Sequence, residues 1–338
     1  MEMKIFLTGA TGFIGSNLIN KLLKLNVHLT CYIRNKNNKK ELENKGCKVI
    51  IGEILDYDKL VDSLKNMDVV IHLVGIGNVS ENSEEAYQNY KKINVEGTET
   101  LARASIKARV KKFIYLSSIA AMGSKCEGVM DENSKPNPTI PYERSKLESE
   151  LVLQNLSKKS EMQFFILRPT WVIGKGDRGK DILKLARMIK KGFVPLVNGG
   201  KFYTMLVSVD SVADAIICCF KKNIRGFRIY IISDEKSYQQ KELINMISDS
   251  MIEQKLISKK PLIIYVPKSL LFSAGLLMEI MTKITNSTPF ISRKRVHSMS
   301  QNRHYSISKA KNELRFIPTP VKKAVDEEIK WLNHGGII

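Results

Sequence analysis

The first half of the chain alternates short apolar runs with longer segments in which apolar residues recur every three or four positions. The runs predict strands and the longer segments predict amphipathic helices. Strands are predicted at residues 4–8, 27–33, 48–51, 69–74, 112–117 and 163–168, and helices at 13–23, 60–64, 94–108 and 142–156. This alternation favours an α/β fold, with a doubly wound parallel sheet that carries helices on both faces.

The pattern becomes less regular after residue 170, where glycines separate short elements. A helix at 210–220 and a strand at 228–232 predict that the chain returns to the sheet within residues 205–233. We therefore expect a sheet domain over residues 1–170 with that return, and a smaller substrate-binding lobe from residues 171–204 and 234–338. The apolar stretch 262–281 is interrupted by Pro267 and Lys268, so it predicts a buried or interfacial helix and no transmembrane segment.

Composition narrows the class of protein further. The 338 residues are 43% apolar, as in a soluble globular protein, and Met1 leads within three residues into the first strand, so no secretory signal and a cytoplasmic location are expected. The five cysteines and five histidines show neither disulfide nor metal-ligand spacing, so no metal is predicted.

The net charge of +20 comes from lysines dispersed along nearly every helix. The basic runs lack interleaved aromatic residues, so no nucleic-acid partner is predicted. The positive charge is still compatible with attraction of an anionic cofactor, a nucleotide-linked substrate or a membrane surface.

Three glycines follow the first predicted strand at intervals of three residues. Gly9 can adopt a positive φ, Gly12 lets the backbone approach a phosphate, and Gly15 lets the next helix pack on the strand. That helix offers free amides to an anion at its amino terminus. The segment therefore predicts a dinucleotide in a Rossmann-type fold. The cofactor-binding residues predicted in this loop are Gly9, Thr11, Gly12, Phe13, Ile14 and Gly15.

Candidate chemistry begins with Tyr142 and Lys146, which share one face of a predicted helix. A nearby cation favours the phenolate and lowers the pKa of a tyrosine by about one to three units. The tyrosine can then exchange a proton with a substrate hydroxyl or carbonyl while hydride passes to or from a nicotinamide. Ser118, after the fifth predicted strand, is placed to bond the reacting oxygen, with Ser117 as the open alternative.

Six blocks of the chain together resemble, in order and spacing, the extended short-chain dehydrogenase/reductase family. They are residues 8–15, 68–75, 94–98, 116–118, 142–146 and 168–170, and a looser match continues beyond them. The resemblance implies Ser118, Tyr142 and Lys146 as a catalytic triad, Asn94 as support for the proton relay of the lysine, and a homodimer. It also implies dinucleotide contacts from Glu53, Ile54, Leu73, Val74, Gly75, Tyr142, Lys146 and Pro169.

The choice between NAD and NADP depends on the end of the second predicted strand. A carboxylate there would bond the ribose hydroxyls, whereas an arginine accepts a 2′-phosphate. The chain has Arg34 at this place and no acidic residue before Glu41. The sequence therefore favours NADP(H), with NAD(H) as the alternative.

The substrate class is indicated by residues 165–179 and 305–314, which resemble nucleotide-sugar epimerases, dehydratases and 4-keto reductases. In that group, basic side chains neutralise the substrate diphosphate. The candidate substrate residues are Thr170, Arg178, Lys201, Arg293 and Arg295. Where such enzymes commonly carry Arg-Asp, this chain has Thr204 and Met205, so one pyrophosphate contact is missing or comes from elsewhere.

Two alternatives remain open at this level. The amino-terminal half also resembles dihydroflavonol-reductase-like and 3β-hydroxysteroid-dehydrogenase-like enzymes, which act on apolar ring alcohols. The second alternative is a non-enzymatic NADP-binding accessory subunit, and the retained Ser118, Tyr142 and Lys146 count against it. Net redox, epimerisation and dehydration are not distinguished.

Overall fold

A computed structural model describes residues 2–77, 83–124, 128–177, 181–285 and 302–338 of the chain. Its strands are β1 (Met3–Thr8), β2 (Val27–Ile33), β3 (Lys48–Ile51), β4 (Val69–His72), β5 (Lys112–Leu116), β6 (Val129–Met130), β7 (Gln163–Pro169), β8 (Trp171–Ile173), β9 (Phe193–Val197), β10 (Tyr203–Ser208), β11 (Phe227–Ile232), β12 (Ser237–Gln239), β13 (Leu262–Val266) and β14 (His304–Tyr305).

The helices pack on both sides of the main sheet and build most of the lobe. They are α1 (Phe13–Leu22), α2 (Lys39–Asn44), α3 (Tyr57–Ser63), α4 (Glu84–Tyr90), α5 (Gly97–Lys107), α6 (Pro141–Ser157), α7 (Asp181–Lys190), α8 (Val209–Lys221), α9 (Gln240–Glu253), α10 (Lys268–Thr285) and α11 (Val321–His334). A π-helical segment, Lys91–Glu96, joins α4 to α5.

The main sheet is parallel and has the strand order β11-β7-β5-β4-β1-β2-β3. The order reverses between β1 and β4, and ligands of such sheets bind beside that switch point at the carboxyl ends of the strands. The predicted α/β fold with a doubly wound parallel sheet is confirmed.

The strands of this sheet are apolar on both faces because helices cover both. In β1, Ile5 and Leu7 pack into one core cluster while Phe6 packs into the cluster on the opposite face. β5 alternates in the same way, with Ile114 on the first face and Tyr115 on the second. Such continuously apolar strands are typical of a parallel sheet covered on both sides.

The return of the chain to the sheet begins later than residue 205. β11 pairs in parallel with β7, and α8 packs against the same face as α1. β10, in contrast, pairs with β8 and β12 in a separate three-stranded sheet. Within residues 205–233, α8 and β11 therefore belong to the layers of the main sheet, whereas the hydrogen bonds of β10 are taken by the smaller sheet. The division into a sheet domain and a lobe stays a prediction.

Two helix predictions need correction. The stretch predicted as one helix at 262–281 is a strand, β13, followed by α10, because Pro267 separates a β-branched run from a helical one. The helix predicted over 94–108 is regular only from Gly97, since the backbone before it is π-helical. π-Helical turns occur frequently at functional sites.

Candidate active site

The glycine loop between β1 and α1 has the shape that a phosphate requires. Gly9 has φ +77°, and a Cβ atom there would lie 2.8 Å from the carbonyl carbon of Leu73. A Cβ atom at Gly15 would lie 2.1 Å from the carbonyl oxygen of Gly9, so helix and turn are in direct contact. Gly12 caps α1, and a Cβ atom there would meet the Gly9 oxygen alone, at 3.3 Å. The free space beside Gly12 fits a dinucleotide pyrophosphate.

Lys146 is buried in the second turn of α6, and its ammonium group is held by hydrogen bonds to residues of β5. The helix starts at Pro141, and the carboxylate of Glu143 accepts a hydrogen bond from the Thr139 amide at 2.8 Å, as expected for a helix start. Lys146 Nζ donates to the Leu116 carbonyl and to the Tyr115 hydroxyl, both at 3.3 Å. The ammonium group is therefore fixed one helical turn from Tyr142.

Burial also sets the electrostatics of this lysine. It lowers the pKa of Lys146 below its usual value, while Tyr142 and Glu150 act in the opposite direction. A buried cation attracts a negative charge on a neighbour more strongly than an exposed one. Lys146 is thus placed to stabilise a phenolate on Tyr142.

The loop after β4 approaches this pair closely because it contains two glycines. A Cβ atom at Gly77 would lie 2.2 Å from the ring carbons Cδ2 and Cε2 of Tyr142. A Cβ atom at Gly75 would lie 3.1 Å from Lys146 Nζ and 3.5 Å from Asn94 Oδ1. The loop therefore brings Tyr142, Lys146 and Asn94 together against one stretch of backbone.

Asn94 lies in the π-helical segment and is fully buried. Its Oδ1 accepts a hydrogen bond from the Ile76 amide at 2.8 Å, and its Nδ2 donates to the Ile76 carbonyl at 2.8 Å and to Ser145 Oγ at 3.0 Å. The side chain thereby connects the loop after β4 to α6. The role of Asn94 as support for the lysine stays a prediction, and the geometry makes it a positioning residue.

The two serines after β5 have different surroundings. Ser117 is buried, and its hydroxyl donates to Glu150 at 2.5 Å. Ser118 is partly exposed, and its Oγ accepts a hydrogen bond from the Ala120 amide at 3.1 Å, so it caps the short helical turn Ile119–Met122. Ser118 can therefore still donate its hydroxyl proton to a ligand, whereas Ser117 already donates its proton to Glu150.

A buried ion pair lies beneath α6. Arg168, near the end of β7, donates to both carboxylate oxygens of Glu150, at 2.5 to 3.2 Å. The guanidinium also contacts Met122 Sδ at 2.6 Å. The pair connects α6 to the sheet close to Lys146. Glu150 was not predicted from the sequence, although it follows Lys146 by four residues and therefore shares its helix face.

His72, at the end of β4, is a second residue that sequence reasoning did not single out. Its Nδ1 lies 2.7 Å from Thr8 Oγ1 and its Nε2 lies 3.0 Å from Thr98 Oγ1. Because Thr98 donates its own proton to the Asn94 carbonyl, we assign the ring proton to Nε2. Burial lowers the pKa of His72 to about 3, so the ring is neutral. The ring links β1, through Thr8, to the start of α5, through Thr98.

The remaining predicted cofactor residues lie along the carboxyl edge of the sheet. Arg34 is exposed directly after β2. The Glu53 carbonyl accepts a hydrogen bond from Tyr32 Oη at 3.1 Å, and Ile54 packs at Gly97. The Leu73 amide donates to the Thr8 carbonyl at 3.2 Å. Val74 and Gly75 follow β4, and Pro169 is the last residue of β7.

The predicted substrate residues are only partly visible. Thr170 is buried, and its Oγ1 lies 2.9 Å from Ser233 Oγ, so this hydroxyl is engaged within the sheet edge. Lys201 is exposed after the turn Asn198–Gly200. Arg178, Arg293 and Arg295 lie outside the described residues.

The loop after β8 is attached to the body of the protein at two points. The Gly174 amide donates to buried Glu328 of α11 at 2.9 Å, and Asn17 of α1 donates to the Lys175 carbonyl at 3.1 Å. Burial, with the charge of Asp177, raises the pKa of Glu328 to about 8. Glu328 was not anticipated from the sequence, because the residues around it indicate only an ordinary amphipathic helix.

Within the described ranges, no group of three or more His, Cys, Asp or Glu side chains is arranged to bind a metal ion. In the same part of the chain, no helix has both the length and the apolar content needed to cross a bilayer.

Comparison with known proteins places this site in context. Residues 5–233 match the model of the NAD dependent epimerase/dehydratase family. UDP-glucose 4-epimerase of Vibrio cholerae is 30% identical over 256 residues, which cover 73% of this chain and 76% of that protein. N-acetyl-alpha-D-glucosaminyl-diphospho-ditrans,octacis-undecaprenol 4-epimerase of Escherichia coli O157:H7 is 25% identical over 337 residues, which cover 98% and 96%.

The fold has close structural counterparts as well. The crystal structure of UDP-glucuronic acid 4-epimerase from Bacillus cereus, in complex with UDP-glucuronic acid and NAD, superposes with a TM-score of 0.76 at 24% identity, covering 98% of this chain and 99% of that one. The resemblance to extended short-chain dehydrogenase/reductases is thereby confirmed. The chain is an enzyme that belongs to the NAD-dependent epimerase/dehydratase family.

Proposed function

We propose that this enzyme interconverts a secondary alcohol and a ketone on a sugar linked to a diphosphate, with Tyr142 as the acid–base group. The observation that carries the proposal is the position of Lys146. Its ammonium group is held by Leu116 and Tyr115 one helical turn from Tyr142, at the carboxyl edge of a dinucleotide-binding sheet.

Each residue has one task in this mechanism. When a nicotinamide dinucleotide is bound, it supplies the hydride acceptor or donor. In the oxidising direction, Tyr142 as phenolate takes the proton of the substrate hydroxyl, and Lys146 stabilises the phenolate before that transfer. Ser118 donates its free proton to the same substrate oxygen and orients it. In the reducing direction, Tyr142 returns the proton to the oxygen as it becomes a hydroxyl.

We further propose NADP(H) as the preferred cofactor, with NAD(H) as the alternative. Arg34 is exposed at the end of β2, and residues 34–40 contain no carboxylate that would repel a 2′-phosphate. The glycine loop serves either dinucleotide, because it contacts the pyrophosphate that both share.

The proposed substrate class is supported by what the two relatives have in common. The names of both describe a 4-epimerase of a sugar carried on a diphosphate, once on a nucleoside and once on a polyprenol. Lys201, Arg178, Arg293 and Arg295 are the proposed cations for the diphosphate. A homodimer and a cytoplasmic location accompany the proposal as predictions.

The first test combines native mass spectrometry of the purified protein with turnover assays on UDP-glucose and UDP-galactose. Retained dinucleotide near one per chain, with interconversion of the two sugars, is the result expected of an epimerase that recycles its cofactor. NADH and NADPH affinities are then compared by titration. Equal affinities would contradict the proposed role of Arg34.

The Gly12→Val variant is the matched control for this assay. Its side chain would fill the phosphate space while meeting little of the protein itself, so we expect a folded protein that has lost dinucleotide binding. Normal affinity would contradict the placement of the pyrophosphate. If UDP-sugars are inert but apolar ring ketones are reduced with NADPH, the substrate is instead of the dihydroflavonol or 3β-hydroxysteroid type.

A further inference from the structure

The lobe carries an exposed apolar surface on the sheet formed by β9 and β13. The strands pair in parallel, with Leu262 opposite Phe193 and Ile264 opposite Pro195. Paired residues of a sheet lie on the same face. On the opposite face, Val194 and Leu196 pack into the core of the lobe, whereas Tyr265, which pairs with Leu196, is 57% exposed. Leu262 is 69% exposed, and Phe193 and Ile264 are exposed as well.

Helix α10 follows β13 directly along the chain, and it also exposes apolar side chains. Its Leu270 is 62% exposed, and Leu276 is exposed further along the helix. We call the three exposed residues on one side of the small sheet the lobe apolar face: Phe193, Leu262 and Ile264. Exposed apolar residues that occur singly are ordinary, but a group of this kind on one small unit indicates an interaction surface.

The two chain segments that contain β9 and β13 carry basic residues and no acidic ones. Between Asp181 and Asp210 the chain has no acidic residue, and the same is true between Glu253 and Glu279. The basic residues in these two segments are Lys184, Arg187, Lys190, Lys191 and Lys201, and Lys255, Lys259, Lys260 and Lys268. Two of them are in salt bridges with acids outside the segments, Lys184 with Asp181 and Lys260 with Asp249.

The strand register brings these lysines to the ends of the small sheet. Lys190 and Lys191 precede β9, and Lys259 and Lys260 precede β13, so the parallel strands place both pairs at one end. Lys268 follows the other end of β13. The apolar face is therefore flanked by positive charge at both ends.

We propose that the lobe apolar face docks the enzyme on the surface of an anionic lipid bilayer. Apolar side chains that enter the acyl boundary, together with lysines at the headgroup level, are the combination that binds peripheral proteins to such membranes. A second copy of the chain fits less well, because a symmetric contact would bring two basic surfaces together. In this proposal the enzyme lies on the surface of the bilayer. This inference goes beyond the proposed reaction and does not depend on it.

Vesicle flotation of the full-length protein tests the proposal without reading any turnover. Vesicles of phosphatidylcholine alone are compared with vesicles that also contain about 30% phosphatidylglycerol, at low and at high salt. We expect binding to the anionic vesicles that weakens as salt is added. The proposal is overturned if the protein floats with neither vesicle, or equally with both.

Two double variants locate the binding surface. Leu262→Ser with Ile264→Ser is expected to lower partitioning into anionic vesicles about ten-fold or more, since two exposed apolar side chains are lost. Lys190→Gln with Lys191→Gln is expected to lower it about ten-fold and to reduce its dependence on salt. The matched control is Val129→Ser with Ile317→Ser, which replaces residues 70% and 79% exposed elsewhere and should bind as the wild type does.

Other outcomes would assign the surface differently. If the Leu262 and Ile264 variant binds vesicles like the wild type, the lobe apolar face is not the docking surface. If vesicles are not bound and the same variant dissociates an oligomer in sedimentation experiments, the surface belongs to a second copy of the chain. Either result overturns the membrane assignment, and neither affects the proposed catalytic role of Tyr142.

Discussion

The carboxyl edge of the sheet around Lys146, which we call the catalytic edge, buries polar side chains, whereas the lobe apolar face exposes apolar ones. At the catalytic edge, the polar side chains of Lys146, Asn94 and His72 are buried, and each has several hydrogen-bond partners. On the lobe apolar face, Leu262 is mostly exposed, and Phe193 and Ile264 are exposed as well. Burying polar groups is costly unless their partners are provided, and exposing apolar groups is costly unless something covers them.

The comparison indicates which part of the molecule is complete by itself. The catalytic edge has its geometry fixed by contacts within the chain, so its chemistry can be stated residue by residue. The role that we propose for the lobe apolar face depends, in contrast, on a partner outside the chain. The four predictions below test this difference, beginning with the largest expected effect.

Tyr142→Phe removes the acid–base hydroxyl while leaving the ring in its place. We expect turnover to fall by about 10²- to 10⁴-fold with dinucleotide affinity nearly unchanged. Steady-state kinetics and cofactor titration measure the two quantities. Near-normal turnover would remove Tyr142 from the mechanism.

Glu150→Gln leaves the buried guanidinium of Arg168 without a counter-charge. Breaking one side of a buried ion pair costs about 3–5 kcal/mol, so the free energy of unfolding in urea should fall by that amount. The matched control is Glu99→Gln, which breaks a surface pair with Arg103 and should cost about 0–1 kcal/mol. Equal losses in the two variants would mean that the buried pair is not a special anchor of α6.

Gly77→Ala places a methyl group where the ring of Tyr142 now lies. Either the loop or the ring must shift, and displacing a catalytic group by about 1 Å can cost about 10²-fold in rate, so we expect a loss of about ten- to a hundred-fold in turnover. Gly75→Ala is the comparison, because its methyl group would lie 3.1 Å from Lys146 Nζ, a milder overlap than the 2.2 Å at Gly77, and should do less harm. A larger effect at Gly75 would contradict this ranking.

Leu262→Ser on the lobe apolar face should change the free energy of unfolding by less than about 0.5 kcal/mol, because the side chain is already exposed. Phe165→Ala, in the buried sheet core, should cost about 3–5 kcal/mol. Thermal or urea unfolding measures both. A large loss for Leu262→Ser would show that this leucine is part of the core and not of an external contact surface.

Much of the fold and the chemistry was predictable from the sequence because it depends on residues close together in the chain. The alternation of strands and helices indicated the doubly wound sheet, and the glycine spacing indicated the turn before α1. Residues four apart lie on the same face of any α-helix, so the pairing of Tyr142 with Lys146 followed from their spacing alone. The nucleotide-sugar and NADP(H) interpretations rest on similar local signals and remain proposals.

Tertiary structure decided what the local pattern leaves open. Only the packed sheet puts Tyr115 and the Leu116 carbonyl at the ammonium group of Lys146, and only the path of the loop puts Gly77 against Tyr142. The proposal of Ser118 over Ser117 rests on Glu150, which lies on another element and accepts the hydroxyl proton of Ser117. β13 pairs with β9, although its apolar sequence is compatible with a helix as well. The physical reason is that hydrogen-bond partners, burial and pKa shifts come from residues distant in sequence, whereas periodicity and turn chemistry come from neighbours.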